Sequence, residues 1–252
     1  MSVSQPHQSL LALPLPDEID PQWWASLPAD QMPRWLAQSA SLLYAKQGDG
    51  AYLWLQQLLA ALDRFDHGLP FSAVHRWQRD WLSIVADVSA QRGGEPERAL
   101  ALQQLHGQAL DGTAISQQDW HTRLQATLHE LYRQAYGFAE AYATAHANAL
   151  AYAEANDYAA DEAQHFARSY AELNTTANAC SHADANAAAN AEQLATALIS
   201  GDHDAYADCY PFSLLYITAH AYANHDRHPD KADALQAIYQ RLAYSLLGSL
   251  PT

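Results

Sequence analysis

A chain of 252 residues, 49% hydrophobic and only 16% charged, can bury a core as one large domain or two small ones, and its composition is not that of a disordered protein. Its 28 acids stand against 13 bases, a formal charge of −15, and the only lysines are Lys46 and Lys231. Direct nucleic-acid binding needs clustered Lys and Arg and is not expected, and no run approaches the roughly 18 apolar residues of a membrane span.

The first 20 residues carry Pro6, Pro14 and Pro16 and read as an extended arm. Leu10 to Leu15 is too short and proline-broken for a signal core, so a cytoplasmic location is expected. Asp20-Pro21 reads as an N-cap with proline at the first helical position, opening a short helix over Trp23 and Trp24. Pro33 starts a second helix to about Gln47, closed by Gly48-Asp49-Gly50. A third covers about Ala51 to His67, with Leu55, Leu58, Leu59, Leu62 and Phe65 as its apolar stripe and Gly68 as its stop. Ser72 is the expected cap of a fourth, through Trp77 and Trp81 to the glycines at 93 and 94, and Pro96 opens a fifth that ends near Gly107 to Gly112.

Ser116 with Asp119 forms a loose capping box before a run of about 55 residues free of proline. Nine alternating alanines from Ala139 to Ala155 lie within it, part of a tract with 22 alanines among residues 139–191. Alternation is a strand period, but alanine is the strongest helix former and is depleted in strands, so the tract is expected to be helical. Breaks are expected near Gly137 or Asn156-Asp157, and again at Asn174-Thr175-Thr176 with Thr176 as an N-cap. Further helices follow to about Ile199, over Phe212 to Asn224, and over Asp230 to Leu247, with a short turn or helix between Asp202 and Cys209. The fold class is all-α, a multi-helix bundle whose long alanine-rich helices form an antiparallel hairpin against a Trp- and Leu-rich N-terminal part. The expected division is an arm over 1–20, a bundle over 21–112 and an acidic Ala/Tyr-rich region over 113–252, which can be continuous with the bundle. Ala-Tyr-Ala at 141–143, 151–153, 205–207 and 221–223 resembles the patches of alanine-rich helical proteins known in bacteria, some labelled immunity proteins. The likeness is one of composition and names no family.

The strongest pattern for chemistry is Glu162-x-x-His165, whose members share a helix face at the spacing used in carboxylate-bridged di-iron bundles. If the chain reverses near residue 175, Glu192 and His182 return beside it as supporting ligands for iron, manganese or zinc. Glu140 cannot join them on one straight helix, because 22 residues rise about 33 Å. His220, His225 and His228 lie close in sequence but lack a completing ligand set, and His203-Asp204 and His225-Asp226 are trivial dipeptide matches. No phosphate-cradling glycine loop or nucleophile elbow is present, no catalytic residue is assigned, and no cofactor is expected outside that metal alternative. Cys180 and Cys209 form no disulfide framework or CxxC pair and read as small buried residues in a reducing compartment.

Charge carries more information. From Gln134 to Asp226 there are twelve acids and one base, Arg168, whereas the first 133 residues hold fourteen acids and nine bases. All seven tryptophans lie at or before Trp120. The expected function is a non-enzymatic interaction or scaffold protein that meets a protein partner, a basic one, through its acidic helical half. One specific form is an inhibitor or immunity protein that neutralises a basic toxin or nuclease. The expected contact residues are Glu140, Glu154, Asp157 and Asp161, with the adjacent Trp23 and Trp24, of which at least one is expected to be exposed because neighbouring residues point in different directions. The alternatives are the metalloprotein centred on Glu162 and His165 and a homo-oligomeric structural element joined through its alanine face.

Overall fold

The computed structural model describes residues 9–10, 19–65, 68–135, 138–224 and 230–250. Among them are eleven α-helices and no strand: α1 (Pro21–Ser26), α2 (Arg34–Lys46), α3 (Ala51–Leu62), α4 (Ser72–Gln91), α5 (Pro96–Leu110), α6 (Gln117–Ala135), α7 (Phe138–Ala155), α8 (Ala160–Ser200), α9 (His203–Asp208), α10 (Phe212–Ala223) and α11 (Lys231–Ser249). No helix in the described residues is long and apolar enough to cross a membrane.

Local chemistry sets most of these boundaries. The Asp20 carboxylate accepts the Trp23 backbone N–H at 2.7 Å with Pro21 at the first position of α1. The Ser116 hydroxyl accepts the Asp119 N–H at 3.1 Å and donates to its carboxylate, and Asp230 caps α11 through the N–H groups of Ala232 and Asp233. Ser72 departs from expectation. It is the first helical residue of α4, preceded by Phe71, and makes no capping bond. The third helix stops at Leu62, and the carboxylate of its C-cap Asp63 ties down the N-terminal arm, accepting the Leu10 N–H at 2.6 Å and the Ser9 hydroxyl at 2.9 Å. Of the expected arm, only residues 9–10 and 19–20 are described, and Leu10 is fully buried.

The core is built from tryptophan. Trp35 stacks on Trp77 at 5.2 Å and meets Tyr206 of α9 edge to face at 5.7 Å, and all three are buried. The indole N–H of Trp54 donates to the Ala243 carbonyl at 2.8 Å, and that of Trp81 to the Thr218 hydroxyl at 3.0 Å. These bonds satisfy polar atoms that burial strips of water, and each ties an N-terminal helix to a C-terminal one. One apolar cluster therefore runs from Leu10 to Leu250, with α9, α10 and α11 packed among α2, α3 and α4.

The first part of the alanine tract leaves this body, whereas Ala183, Ala187 and Ala191 belong to the same apolar cluster. The chain reverses at 156–159, not near 175. Asp157 takes a left-handed φ of 58°, the Tyr158 N–H bonds the Ala153 carbonyl, and the Asp157 N–H bonds that of Glu154. This is a Schellman stop with aspartate in place of glycine. The expected break at 174–176 does not form. The Thr175 hydroxyl donates to the Ala171 carbonyl at 2.6 Å and the Asn174 amide to that of Tyr170 at 2.9 Å, so both polar groups are satisfied inside a continuous helix. The result is a single helix of 41 residues, about 60 Å long.

Helices α6 and α7 together run antiparallel to α8. Gln117 meets Thr196, His121 meets Glu192, His129 meets Asp184 and Arg133 meets Cys180, and each pair is placed symmetrically about the Asn156–Asp157 peptide bond. The α6 part of the hairpin thus keeps one register against α8. The hairpin interface is small-residue packing: Ala145, Ala149 and Ala153 of α7 meet Ala163, Ala167 and Ala171 of α8. The buried positions of α8 recur every fourth residue through Thr175, Ala183, Ala187, Ala191 and Ala195. A period above 3.6 drifts around each helix in the sense of a right-handed winding.

Candidate functional site

Helix α7 packs against α8 alone, and no other element reaches it among the described residues. The distal half of the hairpin therefore stands away from the body, held by alanine methyls that bury little area. Its outer surface is aromatic. Phe166, half-buried, has its ring 6.0 Å from Tyr152, 5.7 Å from Tyr158 and 6.1 Å from Tyr170. Tyr152 is 58% exposed and Leu173 80% exposed, values at which these side chains make no folding core.

Around this cluster stand Glu154 in the last turn of α7, Asp157 in the reversal, and Asp161 and Glu162 in the first turn of α8. All four are exposed and their carboxylates make no hydrogen bond or ion pair among the described residues. Asp161 and Glu162 lie at a helix N-terminus, where the backbone dipole favours negative charge, so a part of their presence is structural. Glu140 lies on α7, but its side chain is outside the described residues. The expected acidic contact residues that are described thus gather at one end of the hairpin.

The metal alternative loses its geometry. Glu162 and His165 are exposed on α8 and line a cleft of ≈ 490 Å³ with Tyr158, Asp161, Phe166 and Ser169. Glu192 is on the same helix, thirty positions and about 45 Å further on, because the reversal precedes Glu162 instead of following it. There it faces α6, accepting from Gln117 at 3.2 Å and pairing with His121 at 3.7 Å. His182 is also on α8, its side chain outside the described residues, as are His225, Asp226 and His228. Among the described residues no group of three potential ligands could hold a metal ion.

The tryptophan pair is less exposed than expected of an anchor. Trp24 is buried and Trp23 half-buried, their rings 5.0 Å apart edge to face. Trp24 instead floors an apolar groove of ≈ 690 Å³, walled by Leu27, Met32 and Leu42 with Tyr210 and Phe212 across from it. Tyr210 at its lip has a left-handed φ of 50°. His203 is half-buried at the edge of the core: its ring accepts the Trp35 indole N–H at 2.8 Å and donates to the Leu69 carbonyl at 2.9 Å. Both cysteines are half-buried and free, with burial and the nearby Asp208 pushing the Cys209 thiol up to about 11.

No family model, curated protein or solved structure matches this chain. Phe166 and Tyr170, four apart on one helix face, carried a legible signal for the aromatic cluster, but their contact with Tyr152 and Tyr158 depends on where the chain reverses.

Proposed function

We propose that this is a non-enzymatic interaction protein whose hairpin arm docks a basic protein partner. The observation that carries the reading is the distal hairpin itself. A stretch whose buried contacts are mainly alanine nevertheless keeps three tyrosines and a leucine on its outer surface beside four carboxylates without partners among the described residues. Folding gains nothing from exposing such side chains, whereas aromatic anchors ringed by charge are what interfaces use. The fixed negative field also speeds encounter with a basic protein and makes the complex salt-sensitive. An inhibitor or immunity protein acting on a basic toxin or nuclease is one form this takes.

The test compares wild type with a quadruple variant, Glu154→Gln, Asp157→Asn, Asp161→Asn and Glu162→Gln, as baits in extract of the native host, with helicity checked by circular dichroism. A basic protein retained by wild type, released by salt and absent from the variant is expected. A partner retained equally by both sinks the proposal.

A further inference from the structure

Resting on that reading, we infer that the distal cleft between Tyr158, Asp161, Glu162 and Phe166 recognises arginine side chains, so that the partner presents an arginine-bearing segment instead of a lysine-rich one. The cleft joins two chemistries within ≈ 490 Å³: the rings of Tyr158 and Phe166, 5.7 Å apart and inclined at 67°, and the carboxylates of Asp161 and Glu162. A guanidinium is planar and weakly hydrated. It lies flat on a ring while its N–H fork donates to a carboxylate, and the two interactions use different faces of the same group. An ammonium is a compact, strongly hydrated point charge and satisfies the carboxylates equally well without needing the rings. The aromatic lining is therefore what discriminates.

Charge selects the occupant among the other candidates. A second copy of the chain brings a further formal charge of −15 to the same face, and nucleic acid or an anionic membrane is repelled for the same reason. Arg168 is the one base in the sequence from Gln134 to Asp226 and forms no ion pair among the described residues, so it does not neutralise the carboxylates of the cleft. His165 on the cleft wall is exposed and makes no described bond.

Two labelled peptides of equal length and charge, one with arginine and one with lysine as its only bases, are titrated with the full chain at low salt. The arginine peptide is expected to bind roughly threefold to fivefold tighter, the range of an exposed cation–π contact. Tyr158→Leu, which keeps an apolar side chain at an exposed position of the reversal between α7 and α8, is expected to bring the two affinities together, and Glu162→Gln to weaken both. Equal binding by wild type overturns the arginine cleft and leaves the acidic arm standing. Failure of both peptides to bind overturns the arm as well. An arginine preference that survives Tyr158→Leu overturns the assignment to this cleft.

Discussion

The Nδ1 atoms of His75 and His106 lie 3.0 Å apart between α4 and α5, and at that distance only one of them carries a proton. His106 is fully buried against Trp120, and its Nε2 has no hydrogen-bond partner, whereas His75 is half-buried. An unpaired buried acceptor is better tolerated than an unpaired buried N–H. His106 therefore donates through Nδ1 and His75 accepts, turning its own N–H toward the more open side.

Both rings resist protonation. Burial lowers His75 to about 4, and burial together with a charge on His75 holds His106 well below the usual histidine value. The unfolded chain takes up protons near pH 6.5 while the folded one does not, so stability is complete above that value and falls as pH drops toward 4. Urea unfolding at pH 7 and pH 5 is expected to show wild type losing about 2 kcal/mol more per resisted histidine than His106→Phe does over that interval. An equal loss in the two proteins rules out the pair as the cause.

Thr218 ties Trp81 to α10, accepting the indole N–H while its own hydroxyl donates to the Leu214 carbonyl at 2.7 Å. Thr218→Val is expected to destabilise the body by about 1–3 kcal/mol, because it leaves a buried indole N–H without an acceptor. Adding Trp81→Phe removes that orphan donor, so the double variant is expected to lie closer to the Trp81→Phe single variant than additivity requires. Additive losses in a denaturation cycle would show that the bond does not matter.

Ala167 is fully buried where α7 meets α8. Ala167→Leu is expected to force the two helices apart at a destabilisation of about 1–3 kcal/mol. The damage is local, since α7 has no other neighbour and every tryptophan precedes the hairpin's distal half. Amide exchange across residues 138–175 is expected to quicken while tryptophan fluorescence melts as in wild type. A matching fall in the fluorescence midpoint would mean that arm and body unfold together.

Asp157 holds the reversal at a φ of 58°. Asp157→Gly and Asp157→Asn are expected to keep or raise the stability of the arm, and Asp157→Val to lower it by about 1–2 kcal/mol. Thermal circular dichroism ranks them, and valine equal to glycine contradicts the turn as described.

Much of the fold was legible because it is written in local chemistry. Asp20-Pro21, Ser116 with Asp119, and the absence of proline between Glu97 and Tyr210 each state a helix boundary or its lack within a few residues. The reversal was harder. Asn174-Thr175-Thr176 and Asn156-Asp157 are both short polar stretches, and which one bends depends on whether the side chains bond carbonyls four residues back or a residue turns left-handed. That choice decided the site, because a reversal at 175 would have brought Glu192 beside Glu162 and the actual one separates them by most of a helix. The acidic positions could be read directly, since charge needs no tertiary context. The His75–His106 contact and the groove under Trp24 join residues far apart in sequence, and no spacing rule announces them.

The central claim is that the partner meets the distal arm and not the tryptophan groove. Hydrogen exchange of the full chain, with and without a saturating arginine-bearing peptide, tests it directly. Protection confined to residues near 150–173, with the segments around Trp24 and Tyr210 unchanged, is the expected result. Protection of those groove segments with the arm unaffected would contradict it.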